Sequence, residues 1–255
     1  MEHFKLTILG SGTAIPSKNR GNSGYLIEIG DEKILLDSGA GAIRKLPFQE
    51  IPVWSISKIF YSHMHIDHVV DLIPLLFASK YSGRPADAVH NLEIFAHKDF
   101  NDYFLSIQKL FDPHISGDNI KTVFTPVNGN LLRLEGFNVK NIPVAHTPQS
   151  TAYRFELLDG RSLVYSGDTD YCEELAIIAN NCSVLLVECS FPDDKDVKGH
   201  MTPLKISKLI SKARPKRVIL THIYPVNDDG TLIQRIKNPF KIPIEVGEDL
   251  MQIVI

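Results

Sequence analysis

Between residues 63 and 68 the chain reads His-Met-His-Ile-Asp-His, placing His63, His65, Asp67 and His68 within six residues. The apolar run KIFYS precedes it and reads as a strand. In extended backbone residues i and i+2 face the same way, so His63 and His65 converge. Asp67 and His68 then fall in the turn or helix start that follows. Such groups are costly to bury without partners, and protonated imidazoles repel one another. A divalent cation removes both costs, because neutral imidazole and carboxylate are its natural ligands. The alternative, an exposed polar turn, is disfavoured by residues farther along. His146 follows NIPVA, Asp168 follows SLVYSG and His222 follows RVILT, each standing where an apolar run stops. Five histidines and two aspartates exceed the roughly three protein ligands that one catalytic Zn²⁺-type ion requires. Two metal ions are therefore expected, with Asp168 as a bridging carboxylate.

The elements that must carry these groups are legible as short apolar runs. Lys5–Leu9, Tyr25–Ile29, Lys33–Leu36, Lys58–Ser62 and Leu92–Ala96 read as strands separated by Gly-rich turns. Val69–Ala78 is apolar enough for a buried helix, with Pro74 as a kink or in its first turn. Asp99 is a plausible N-cap for a helix running to about Phe111. Residues 123–164 read mostly as strands and hairpins. Ser183–Val187 and Arg217–Leu220 are continuous apolar runs, typical of strands covered on both faces. Thr202 caps an expected helix Pro203–Ala213, whose apolar stripe is Ile206, Leu209 and Ile210. Lys205, Lys208 and Lys212 then form a solvated face, and Met251–Ile255 a terminal strand. The alternation indicates a layered α/β domain with mixed sheets. No sequence repeat or linker divides the chain.

Composition bounds the function classes. The chain has 255 residues, a formal net charge of -3, 44% hydrophobic and 22% charged residues. That is an ordinary globular mix, which excludes collagen-like and low-complexity chains. A chain of this length buries a core without a structural metal, so a metal site here is a functional one. No stretch approaches the ~20 apolar residues of a membrane span, and no secretory signal is visible at the start. Cys172, Cys182 and Cys189 are odd in number and lack CxxC spacing, which points to a reducing, cytoplasmic compartment. The slightly acidic balance lacks the basic footprint of a nucleic-acid binder.

HMHIDH followed by isolated His, Asp and His resembles the metallo-β-lactamase superfamily, over essentially the whole chain. The resemblance implies one hydrolase domain spanning 1–255 with a four-layer αββα sandwich of two mixed β-sheets. It implies a first metal held by His63, His65 and His146, and a second held by Asp67, His68 and His222. Asp168 and a hydroxide would bridge them. Asp37 in ILLDSGAG matches the family's early aspartate and would orient a ligand histidine through its free N–H. The metals would be zinc, with manganese or iron as alternatives. A homodimer is expected by family analogy alone, with Trp54 and the Phe48–Ile56 stretch as interface or core.

Within that family the complete His/Asp set suits a phosphodiesterase or a related hydrolase. GSGTAIPSKNRGNSGYLIE resembles the N-terminal loop of ribonuclease Z, with Lys18 and Arg20 as phosphate contacts or simple loop charges. VECSF and GHMTP place Glu188 and His200 on that family's glutamate and leaving-group histidine. A carboxylate beside an imidazole keeps it cationic and aimed, ready to act as general acid; the alternative for His200 is an exposed loop histidine. Asp67 would both ligate and accept the proton of the nucleophile. Two departures stand out. His146 and Asp168 are only 22 residues apart, leaving no room for the ribonuclease Z arm that clamps tRNA. THIYP also lacks the usual Ser-x-Arg-Tyr tail. SFPDD and GHMTP equally resemble class II cyclic nucleotide phosphodiesterases. The expected function is thus a binuclear phosphodiesterase, ribonuclease Z-like without the arm, acting on a small molecule or an RNA 3′ end. The alternatives are a cyclic nucleotide phosphodiesterase, a lactonase or thioesterase on the same site, and a metal-binding protein without turnover.

Overall fold

The structure is a computed structural model and describes residues 3–81 and 89–255. β1 (Phe4–Gly10), β2 (Gly24–Ile29) and β3 (Glu32–Ser38) form an antiparallel meander. The chain then crosses to β4 (Lys58–Phe60), which lies parallel to β3. The helical run that follows splits into α1 (Ile66–Val69) and α2 (Leu72–Tyr81). Pro74 explains the split: it lacks the N–H that would bond to the carbonyl of Val70, so it is tolerated only in a first turn. Asp71 occupies the break, where its carboxylate accepts the Ile43 N–H (3.0 Å). β5 (His90–His97), α3 (Phe100–Phe111) and β6 (Ile120–Val127) complete the parallel part of this sheet. Asp99 stands at the N-cap of α3 but does not cap it with its side chain. Its own backbone is already helical, and its carboxylate accepts a hydrogen bond from Gln149 (3.1 Å) instead.

The second sheet repeats the plan. β7 (Leu131–Leu134), β8 (Phe137–Pro143), β9 (Thr151–Leu157) and β10 (Ser162–Tyr165) are antiparallel neighbours. After α4 (Glu173–Ile178), β11 (Val184–Glu188) joins β10 in parallel. After α5 (Pro203–Ala213), β12 (Val218–Thr221) and β13 (Ile244–Val246) extend the parallel half. β14 (Gln252–Val254) returns to the first sheet beside β1. Among the described residues each sheet therefore has seven strands, with its antiparallel pairs at one side and its parallel pairs at the other. The sequence carries no visible repeat of side chains; the similarity lies in backbone topology.

Three apolar clusters define the layers. One lies between the sheets, with Phe4, Tyr25 and Phe60 facing Phe137, Tyr153 and Tyr165. A second packs β11 and β12 against α4 and α5. A third packs the first sheet against α2 and α3. β11 and β12 are buried along their whole length because a layer covers each face. This is the expected αββα sandwich. Thr202 caps α5 by accepting the Lys205 N–H, and Pro203 takes the first helical position. Lys208 and Lys212 are exposed, but Lys205 turns inward toward carboxylates, so the solvated face expected of all three is corrected at that residue. In the Phe48–Ile56 stretch Ile56 is fully buried whereas Phe48 is 70% exposed. No helix among the described residues is long and apolar enough to cross a membrane.

The sheets are keyed together by aromatic rings. Phe60 of β4 stacks on Phe95 at 4.3 Å and meets Tyr153 and Phe155 of β9 edge-on at 5.3 and 5.0 Å. We predict that Phe60→Ala destabilises the protein by about 3–5 kcal/mol in equilibrium urea denaturation. A loss below about 1 kcal/mol would mean that the sheets are not keyed at this ring.

Candidate metal centre

Parallel strands end at one edge of the sandwich, and the polar residues that follow them meet there. Strand β4 stops at Phe60, yet His63 and His65 still converge, their rings 4.5 Å apart and edge-to-face. His65 is the N-cap of α1, which turns Asp67 and His68 inward. The loops after β8, β10 and β12 supply His146, Asp168 and His222. One ligating atom from each of His63, His65, His146 and Asp168 lies within 4.8 Å of the others. The same holds for Asp67, His68 and His222, and for Asp168, His200 and His222. Asp168 stands between the groups. Its Oδ2 is 3.8 Å from His63 Nε2 and 3.4 Å from His222 Nε2, while Oδ1 is 3.4 Å from His68 Nε2.

These residues fit divalent cations on physical grounds. His63 Nε2 and Asp168 Oδ1 are buried without a hydrogen-bond partner. Ring nitrogens also face one another: His65 Nδ1 and His146 Nε2 at 3.2 Å, His68 Nε2 and His222 Nε2 at 3.3 Å. Two lone pairs aimed at each other need a proton or a cation between them. The protonation balance agrees. Burial and the neighbouring His68 push His63 well below the usual imidazole range, and burial also lowers His146. Burial opposes charge on His68, but Asp168 and Asp37 hold its pKa well above the ordinary value. Burial would raise Asp168, but His222 and His68 hold it well below the carboxylate range. Asp67 likewise stays below that range, against its burial, through the His222 hydrogen bond and His68. A cation placed among these groups replaces the shared proton.

The far side of most rings is fixed. Asp37 is fully buried at the end of β3, and its Oδ2 meets His68 Nδ1 at 2.7 Å. It also accepts the Ser62 N–H and Oγ–H, each at 2.7 Å, and the Tyr165 hydroxyl at 2.5 Å. Ser62 Oγ in turn contacts His63 Nδ1 (3.0 Å). His146 Nδ1 donates to the Gly199 carbonyl (2.9 Å), and His222 Nδ1 contacts Ser190 Oγ (3.0 Å). Asp67 Oδ2 accepts the Ala14 N–H at 2.9 Å. Asp37 and His222 both adopt left-handed backbone, φ 53° and 51°, a strained state for residues with a Cβ. Gly199 has φ 89°, and a Cβ there would lie 2.8 Å from His146 Nδ1. Only glycine brings its carbonyl to that ring.

Glu188 and His200 form a dyad beside this cluster. His200 Nδ1 lies 3.0 and 3.2 Å from the two carboxylate oxygens of Glu188. Glu188 is 1% exposed and also accepts the Thr169 N–H (2.6 Å), the Met201 N–H (3.2 Å) and the Ser190 hydroxyl. Burial works against charge on His200, but the Glu188 bond carries its pKa above the ordinary value. The His200 ring lies 4.8 Å from that of His146. Phe191 and Tyr224 stack at 4.4 Å and stand edge-on to His200. Burial and the charges of Asp168, Asp67 and Glu188 push the Tyr224 phenol up to about 12, so it stays neutral.

Lys18 is exposed in the N-terminal loop. Arg20, read as a phosphate contact or a loop charge, is engaged by neighbouring loops. It pairs with Asp228 through two bonds of 2.8 and 2.9 Å and donates to Ser11 Oγ and the Gly247 carbonyl. Tyr165, Ser62, Ser190 and Tyr224 went unrecognised as parts of the site. Ser62 and Ser190 stand one and two residues from His63 and Glu188, so asking what holds each imidazole's second nitrogen would have found them. Tyr165 reads as an ordinary strand residue and carries no such signal.

Residues 4–231 match the family described as Anti-Pycsar protein Apyc1. The probable metallo-hydrolase YhfI of Bacillus subtilis (strain 168) is 27% identical over 249 residues, covering 96% of this chain and 97% of its own. The crystal structure of YhfI, a metallo-β-lactamase fold protein, superposes with TM-score 0.86 at 25% identity, covering 99% of each chain. A ribonuclease Z of Methanosarcina acetivorans is 24% identical, covering 99% of this chain and 98% of its own. Human tRNase Z, short form, superposes with TM-score 0.76 at 22% identity over 98% of each chain. The fold is that of the metallo-β-lactamase superfamily.

We predict that Asp37→Asn weakens metal affinity about 10–100-fold in competition with a chromophoric chelator, the range for partners that orient a ligand histidine. Unchanged affinity would show that His68 is aimed without it. Chelation should also lower the thermal unfolding midpoint, because a ligand of the folded chain alone stabilises it by mass action.

Proposed function

The chain belongs to the family of the Anti-Pycsar protein Apyc1, a metallo-hydrolase branch of the metallo-β-lactamase fold, and we propose that it is a metal-dependent phosphodiesterase acting on a small phosphodiester. His63, His65 and His146 would hold one cation, Asp67, His68 and His222 a second, with Asp168 shared. Bound divalent cations supply a nucleophilic water at neutral pH and neutralise charge developing on phosphorus.

The observation that carries the reading is the Glu188–His200 dyad. Glu188 engages Nδ1, which leaves Nε2–H of His200 to protonate a leaving oxygen. An alkoxide leaves poorly from phosphorus without that proton, whereas a thiolate leaves unaided. The dyad is thus redundant in a thioesterase and useful in a phosphodiesterase. Asp67 Oδ2 accepts the Ala14 N–H, and the carboxylate would also accept the proton that the nucleophile gives up.

Two observations favour a small substrate such as a cyclic nucleotide over RNA. Only the β9–β10 hairpin lies between His146 and Asp168, so no arm extends there to grip a folded RNA. The alignment with the archaeal ribonuclease Z runs over 307 positions against 255 residues here, so that relative carries additional segments. The Phe191–Tyr224 stack beside His200 offers an aromatic surface on which the base of either kind of substrate would stack.

The test is turnover of bis(p-nitrophenyl) phosphate, a lactone and a thioester by protein loaded with Zn²⁺ or Mn²⁺, with His65→Ala as the blank. Phosphodiester turnover that disappears in the blank is expected. Turnover of the lactone or thioester alone would sink the reading. We further predict that His200→Ala slows hydrolysis of a cyclic nucleotide by about 10²–10⁴-fold, the usual contribution of a general acid, with metal content retained.

A further inference from the structure

We propose that Lys205 and Asp170 are positioning residues: their ion pair fixes the loop that carries His200 and aims its Nε2. The inference rests on the general-acid reading of His200 given above. Lys205 is the third residue of α5, in a helical turn whose dipole disfavours a cation. Its place there needs a partner, and it has three. The ammonium lies 2.7 Å from Asp170, 2.5 Å from Asp196 and 3.0 Å from the carbonyl oxygen of His200 itself.

Asp170 extends the link. One carboxylate oxygen takes the Lys205 ammonium and the Tyr171 N–H, and the other accepts the Gly199 N–H at 3.3 Å. Its own N–H donates to the Ala145 carbonyl at 2.8 Å, next to His146. The Gly199 carbonyl then receives His146 Nδ1–H. One ion pair thus joins α5 to the loops that bear His146, Asp168 and His200. Residues 193–198 just before are all exposed, so the stretch leading to His200 has little packing of its own.

The geometry explains why two anchors are needed. Glu188 fixes Nδ1 of the ring and Phe191, Tyr224 and His146 flank it, but none of them bonds the backbone carbonyl of His200. Holding the carbonyl of the same residue fixes the backbone, and the two points together define where Nε2 aims. Misalignment of a positioned group by about 1 Å costs on the order of 10²-fold in rate.

The test uses leaving-group dependence. On metal-loaded protein, kcat and KM are measured for bis(p-nitrophenyl) phosphate, whose leaving group needs little protonation, and for a cyclic nucleotide, whose alkoxide needs it. Lys205→Met is expected to lower kcat on the cyclic nucleotide about 10–100-fold, at least about tenfold more than on bis(p-nitrophenyl) phosphate, with metal content retained. Lys205→Arg should recover most of the loss, and Asp170→Asn should reproduce it. Equal losses on both substrates, or none, overturn the proposal. Hydrogen exchange provides a second measurement: Lys205→Met should lower protection at Gly199, His200 and Met201, and unchanged protection also overturns it. If His200→Ala shows no leaving-group dependence, the general-acid reading fails instead, and the exchange result alone decides whether the ion pair fixes the loop.

Discussion

The buried carboxylate of Asp37 ties the two halves of this molecule together at the edge where the candidate ligands meet. Asp37 ends a strand of the first sheet, and it binds Ser62 and His68 from that half and Tyr165 from the second sheet. A buried carboxylate is stable only when its lone pairs are filled, so these partners hold one another in place. The left-handed backbone at Asp37 is the local cost, and the hydrogen bonds that over-determine it keep it there. Through His68 the constraint reaches His222 and Asp168, and through Ser62 it reaches His63.

Around that anchor the site divides its electrostatics. One side is an excess of imidazole and carboxylate atoms too close together to be content without a cation. The other is the pair of Glu188 and His200, in which the carboxylate accepts several hydrogen bonds and engages Nδ1 of the imidazole. Ser190 touches both Glu188 and His222, so the two sides share a hinge of one hydroxyl. In the proposed reaction this arrangement would keep nucleophile generation apart from leaving-group protonation, as hydrolysis of a poor leaving group requires.

The layered fold was legible because burial imposes it on side-chain type. Continuous apolar runs at residues 183–187 and 217–220 could only be strands covered on both faces, and they are. The HMHIDH motif was legible because no apolar core has use for three adjacent imidazoles. Where reading by local pattern failed, a distant partner had overridden it. For Arg20 local pattern left a phosphate contact and a loop charge open, and Asp228 and Gly247, more than 200 residues away, engage its guanidinium. Lys205 looked solvated because helical spacing places it opposite the apolar stripe, but loops from elsewhere fold over it.

The sequence by itself determined which chemistry is available: the types of the candidate ligands, their positions at strand ends, and the Glu188 and His200 pair that a family resemblance brings into register. These are properties of side-chain identity and local spacing, which survive without three dimensions. Only the tertiary structure decided which atoms meet. Asp37 against His68 and Tyr165, Gly199 against His146, and Ser190 against His222 are pairs drawn from segments 31 to 128 residues apart. Packing of two sheets, rather than any local preference, sets those separations.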